Sequence, residues 1–155
     1  MTRGRAGLIA GALGLALVAC SPAESATPAA APEPVRAVDI AEGQQDAPVD
    51  VEVDGGAEGV QVNFREITIE PGSGTGKHCH YGQLIAVVEQ GDLTHYADIY
   101  PGGVHVYRTG ESIIEGAGYP HEGRNEGQED VVLMVSYVTP DGKPLAETDL
   151  THCDH

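Results

Sequence analysis

Tryptophan is absent from the 155 residues, phenylalanine occurs once, and aromatic residues make up only 5% of the chain. A core must therefore be assembled from Val, Ile, Leu and Ala, which argues against an extended helical bundle packed on large rings. Basic side chains are scarce as well: eight Lys and Arg face 24 Asp and Glu, for a formal charge of -16. Such a surface repels phosphate backbones and excludes direct nucleic-acid binding. There is no Gly-x-Ser-x-Gly, no P-loop and no dinucleotide fingerprint, so the sequence offers no support for those catalytic classes. Beyond the first twenty residues no segment keeps a 3.6-residue apolar period, and no internal repeat is evident.

What is present begins with an address. Arg3 and Arg5 precede an apolar stretch from Leu8 to Ala19 that ends at Cys20, the layout of a secretory signal, and too short to span a bilayer comfortably. Leu17-Val18-Ala19-Cys20 resembles the lipobox of bacterial lipoproteins. The resemblance implies cleavage before Cys20, a diacylglycerol on its sulfur and a membrane anchor made of more than one acyl chain. Cleavage at another small residue would instead leave a soluble secreted protein. Ser21 in place of Asp implies an outer-membrane address, with the protein in the periplasm, if the host is Gram-negative. Loss of Arg3 and Arg5 would make the mature chain more acidic still. The expected organisation is a signal peptide over 1–19, a lipid-anchored Pro- and Ala-rich disordered linker over 20–48, and one folded domain over 49–155.

From about residue 50 the texture changes to short apolar segments punctuated by turns. Val60 to Glu70 is mostly alternating, Leu84 to Val88 is continuous, and Leu93 to Tyr100 and Val104 to Tyr107 alternate. Ser112 to Glu115 is short, and Val131 to Val138 is apolar. Pro71-Gly72-Ser73-Gly74, Gln90-Gly91-Asp92, Pro101-Gly102-Gly103, Gly116-Ala117-Gly118 and Pro140-Asp141-Gly142 mark the breaks. Strands at this spacing predict an all-β sandwich, jelly roll or barrel.

Two Gly-framed segments carry the chemistry. In Lys77-His78-Cys79-His80, entry into a strand near Lys77 would put His78 and His80 on one face and Cys79 on the other. A same-face pair of neutral imidazoles is a metal half-site, although a solvated pair has the same spacing. The second segment, Gly110 to Asn125, contributes the single His121. Together they resemble the two motifs of the cupin superfamily. Gly72, His78, His80 and Gly91 fit the first, and Gly110, Gly118, His121 and Asn125 fit the second, with Gly116 where the motif has Pro. The resemblance covers roughly residues 60 to 138 and implies a cupin-type double-stranded β-helix, or jelly-roll, barrel. It further implies that His78, His80 and His121 bind a divalent transition metal, one of Fe, Mn, Ni, Cu or Zn.

One position departs from the family. The acid of the first motif is replaced by Leu84, with Gln83 beside it, and no Asp or Glu occurs between His80 and Glu89. Gln83 could offer a carbonyl oxygen as a weaker ligand. Three neutral imidazoles would leave the ion's charge uncancelled, favouring an anionic ligand and leaving coordination positions open. Some cupin-like dioxygenases resemble this arrangement, so the sequence points to a dioxygenase-type oxidoreductase on a small molecule. The alternative is a non-catalytic module that binds a metal or small molecule. No catalytic acid–base pair stands out for an isomerase or epimerase.

The remaining expectations are modest. Tyr119 and Arg124 are candidate substrate-binding residues, Tyr119 as a proton donor or ring wall and Arg124 as a carboxylate partner or an ion pair with Glu122 or Glu126. His95 and His105 are expected at surface or wall positions rather than as ligands. Cys79 and Cys153 could form a disulfide in an oxidising compartment. The Thr151-His152-Cys153-Asp154-His155 terminus is expected to be a loose tail, with tethering or weak metal binding as alternatives. By family resemblance the protein would pair as a homodimer.

Overall fold

A computed structural model describes residues 38–45, 48–51, 57 and 59–154. The expected signal peptide at 1–19, the lipidation position Cys20 and the linker as far as residue 37 lie outside the described residues. The described part is built of β1 (Val60–Ile69), β2 (Gln83–Gln90), β3 (Asp92–Ala97), β4 (Val104–Arg108), β5 (Ser112–Glu115), β6 (His121–Arg124) and β7 (Val131–Pro140). One sheet has the order β1-β7-β2-β5 and the other β4-β3-β6, with all pairings antiparallel. This is the all-β jelly-roll barrel that the cupin resemblance implied, one of the three architectures the strand spacing allowed.

The period of two decides what lies inside. Along β7 every second residue is buried, from Val131 through Leu133, Val135 and Tyr137 to Thr139. Leu84, Ala86 and Val88 of β2 lie beside them, and Leu93 of β3, Tyr107 of β4 and Ile113 of β5 complete the core. Small and branched apolar side chains do the packing that the missing aromatic residues cannot. Each fully buried one contributes about 1.5–3 kcal/mol of transfer free energy. The face of β1 changes along its length: Ile67 and Ile69 meet the core, whereas Val60, Val62 and Phe64 point outward.

Three local expectations change. Strand β6 falls where the sequence showed no strand pattern, because His-Glu-Gly-Arg carries no β-branched residue and pairing with β3 supplies the order. The His78 segment does not enter a strand near Lys77. It forms isolated bridges, His78 with His121 and Cys79 with Glu147, and regular pairing starts at Gln83. Gly82 makes that entry possible, since a Cβ there would collide with the Val138 carbonyl oxygen on β7.

The C-terminus is tethered rather than loose. Cys153 is buried and bonded to Cys79 with a Cα–Cα distance of 6.0 Å, and the Asp154 amide donates to the Gly118 carbonyl at 2.9 Å. Spacing alone could not show this, because the partners lie 74 residues apart.

Candidate metal centre

The two histidine segments meet through their backbones. His78 and His121 exchange both main-chain hydrogen bonds, at 2.9 and 2.8 Å, as one antiparallel pair. Directly opposed residues in such a pair project to the same side, and His80, two residues on, follows. Cys79 points away into the disulfide. All three histidines are buried, and one ligand atom from each lies within 4.8 Å of the others.

Each ring is latched by its other nitrogen. His78 Nδ1 donates to the Gly76 carbonyl at 2.8 Å, His80 Nδ1 to the Leu145 carbonyl at 2.6 Å and His121 Nδ1 to the Tyr119 carbonyl at 3.0 Å. A main-chain acceptor on Nδ1 fixes the tautomer and leaves Nε2 as the lone-pair donor, the arrangement found around metal-ligating histidines. Burial lowers the His78 pKa to about 4, against the opposing pull of the Gly76 carbonyl, so this ring is neutral at physiological pH. The Nε2 atoms of His80 and His121 stand 3.2 Å apart. Two lone pairs at that distance repel unless a proton or a cation lies between them.

A fourth group joins them. Glu115 of β5 is buried, with Oε2 at 3.1 Å from His80 Nε2 and 3.2 Å from His121 Nε2, and Oε1 at 2.9 Å from His95 Nε2. Burial alone would raise its pKa, but the contacts with His121, His80 and His95 overcome this and hold it well below the ordinary carboxylate range. Burial would likewise lower His121, yet the Glu115 carboxylate wins and raises it. Both shifts favour a charged Glu115–His121 pair, with a proton shared where a cation would fit. Metal binding displaces such a proton.

The sequence-predicted residues separate into two sets. His78, His80 and His121 come together. Gln83 is buried beside β5, where its amide nitrogen donates to the Glu115 carbonyl oxygen at 3.2 Å, and the acidic group at the cluster is Glu115. The first motif still lacks its acid at Leu84, but the Glu115 carboxylate stands beside His80 and His121. Tyr119 packs on His121 at 5.0 Å between ring centroids, and its hydroxyl is buried without a hydrogen-bond partner. Burial, reinforced by Glu115, raises its pKa and keeps it protonated. Arg124 is not brought to the cavity. Its side chain is half exposed, bonded to Glu122 at 2.8 and 3.1 Å and stacked over Tyr96.

His95 and Glu115 are the residues that the sequence analysis did not place in the site. His95 is 1% exposed and turns inward, with Nδ1 at 2.8 Å from the Tyr100 hydroxyl, which in turn lies 3.0 Å from the Tyr107 hydroxyl. His105 pairs with His95 across β3 and β4 and packs on Tyr107 at 4.4 Å between ring centroids, but at an exposed position toward the strand's end. A signal for both inward residues was available. Glu115 shares its strand face with Ile113, and His95 shares its face with Leu93 and Ala97, so each is a polar residue on an apolar stripe. The cavity around the cluster measures about 50 Å³ and has apolar walls that include Leu84, Ala86, Ile113 and Leu133.

A family model agrees with the fold. Residues 65–137 match the family model described as a cupin domain. Similar solved structures include a protein from Thermus thermophilus, 21% identical with a TM-score of 0.45 over 51% of this chain and 72% of that one. A cupin-2 domain containing protein from Shewanella frigidimarina is 17% identical with a TM-score of 0.42, over 49% and 69% of the two chains. A predicted oxalate decarboxylase from Thermotoga maritima is 22% identical with a TM-score of 0.43, over 50% of this chain and 64% of that one. No curated protein matches the chain. The family match over β1 to β7, with the jelly roll it falls on, supports a place in the cupin superfamily.

Proposed function

We propose that this chain is a cell-envelope lipoprotein, anchored through Cys20, whose cupin barrel holds a divalent transition metal at His78, His80 and His121 and serves as a dioxygenase-type oxidoreductase on a small molecule. The observation that carries the metal assignment is the set of three Nδ1 latches, which leave three Nε2 lone pairs aimed at one buried region. Imidazole nitrogens suit iron, manganese, nickel, copper and zinc. A bound redox-active ion of this kind would supply a Lewis-acid centre with access to dioxygen.

The chain's own residues define what can react. Leu84, Ala86, Ile113 and Leu133 keep bulk water from the cluster. The cavity of about 50 Å³ exceeds the roughly 10–15 Å³ that a single bound water needs, leaving room for a small ligand. Dioxygen or a polar head of a small substrate fits there. The orphaned Tyr119 hydroxyl is a protonated donor beside His121, placed to hydrogen-bond an oxygen of a bound ligand.

The test is oxygen uptake by full-length protein loaded anaerobically with ferrous iron, against a panel of small thiols, carboxylates and phenols. Substrate-dependent uptake that disappears in His121→Ala, with an unchanged circular dichroism spectrum, is the expected result. Iron retention without uptake on any member of the panel would contradict the oxidoreductase assignment and leave a metal-binding module.

A further inference from the structure

The sequence lacks an acid where its first motif should carry one, and the strand register shows where the carboxylate has gone. In the β2–β5 pairing Leu84 stands directly opposite Glu115. Directly opposed residues of an antiparallel pair share a face with their Cβ atoms about 5 Å apart, so a carboxylate at 115 reaches the space a carboxylate at 84 would reach. We propose that Glu115 is the fourth protein ligand of the metal, transferred from β2 to the neighbouring strand; the proposal rests on the three-histidine assignment above.

The donor geometry carries it. His80 Nε2, His121 Nε2 and Glu115 Oε2 form a nearly equilateral triangle with edges of 3.1, 3.2 and 3.2 Å. Metal–ligand bonds of about 2.1 Å separate neighbouring donors by about 3.0 Å in an octahedron and about 3.4 Å in a tetrahedron. The observed edges fall between these values. Three donors that converge within 3.2 Å of one another make a site that a cation can occupy in place of a proton shared with Glu115. Two imidazoles and one carboxylate on a single face also make up the donor set of non-haem ferrous sites with open positions.

The supporting groups are equally specific. One carboxylate oxygen of Glu115 faces the histidine pair, and the other lies 2.9 Å from His95, which is itself in contact with Tyr100. His95 is then a positioning residue: its Nε2 stands 2.9 Å from Oε1, outside hydrogen-bond alignment, and leaves Oε2 to face the cluster. It also gives a reason for an inward histidine on β3 that belongs to neither motif.

The experiment is a cobalt(II) titration of the full-length protein followed by its visible d–d absorption, with Glu115→Gln, Leu84→Glu/Glu115→Leu and His121→Ala in parallel. Glu115→Gln is expected to weaken binding at least about ten-fold and to shift the d–d bands, and the double variant to recover most of the affinity by restoring the acid on β2. Parental affinity and spectrum in Glu115→Gln would overturn the proposal. Weaker binding with an unshifted spectrum would overturn it too, because Glu115 would then act only through its charge. If Glu115→Gln does not fold, the double variant decides alone: recovered binding supports the transfer, and absent binding in a folded double variant refutes it. Cobalt retained by His121→Ala would instead remove the three-histidine assignment, a failure separate from that of Glu115.

Discussion

Asn125 illustrates how one motif residue serves the fold rather than the chemistry. It is 1% exposed, and its amide nitrogen donates to the Ile69 and Glu129 carbonyls, each at 2.7 Å, while its oxygen accepts from the Gly127 amide at 3.0 Å. These bonds tie the end of β1 to the β6–β7 loop. Asn125→Leu strands the buried Ile69 carbonyl and releases the Glu129 carbonyl and Gly127 amide of the loop, and urea denaturation should show a loss of about 1–3 kcal/mol. An unchanged midpoint would mean that water replaces the side chain. At this scale the histidines were legible because period-two spacing and motif position are local. Glu115 was legible only as an inward polar residue beside Ile113; its meeting with the histidines depends on β5 lying against β2, a pairing distant in sequence.

Among the structural elements, the segment after β7 matters most to the site. Leu145 accepts from His80, Glu147 pairs through its backbone with Cys79 at 3.0 and 2.9 Å, and Cys153 closes the disulfide. This segment therefore buttresses the His80 ring from outside the barrel. In the chain-entropy model, a cross-link closing a loop of this size stabilises by roughly 4 kcal/mol, the 74-residue separation lying between the worked 15- and 100-residue cases. Cys153→Ser should lower thermal stability measurably and weaken metal affinity about 10–100-fold through a looser His80. Parental metal affinity with a lowered melting temperature would restrict the disulfide to a role in stability.

The same segment sets a pH response. Glu147 accepts from the Asp149 amide, and it also meets His152 and the Tyr81 hydroxyl; these contacts lower its pKa to about 2. A depressed carboxylate contributes its stability above the unfolded value near 4.5 and loses it as pH falls through about 2. His152 is raised by Glu147, so its share is present below 6.5 and lost as pH rises through the folded value. Melting temperatures of the parent should exceed those of Glu147→Gln most between about pH 4.5 and 6.5, and the gap should close in acid. A gap independent of pH would contradict this. The strands of the barrel were legible from alternation and turn residues, whereas β6 and the tethered terminus were not, since both owe their order to partners distant in sequence.

For the whole molecule, the formal charge of -16 means many carboxylates that attract cations without selecting one. Specific binding must therefore be read at about 0.15 M salt, where charges more than about 8 Å apart are largely screened. The most direct measurement is elemental analysis of the protein purified from its own envelope in that salt, beside His78→Ala and His121→Ala prepared identically. The account predicts roughly one transition-metal ion per parent chain and less than roughly a tenth of that in either variant. Equal metal content in all three would contradict it.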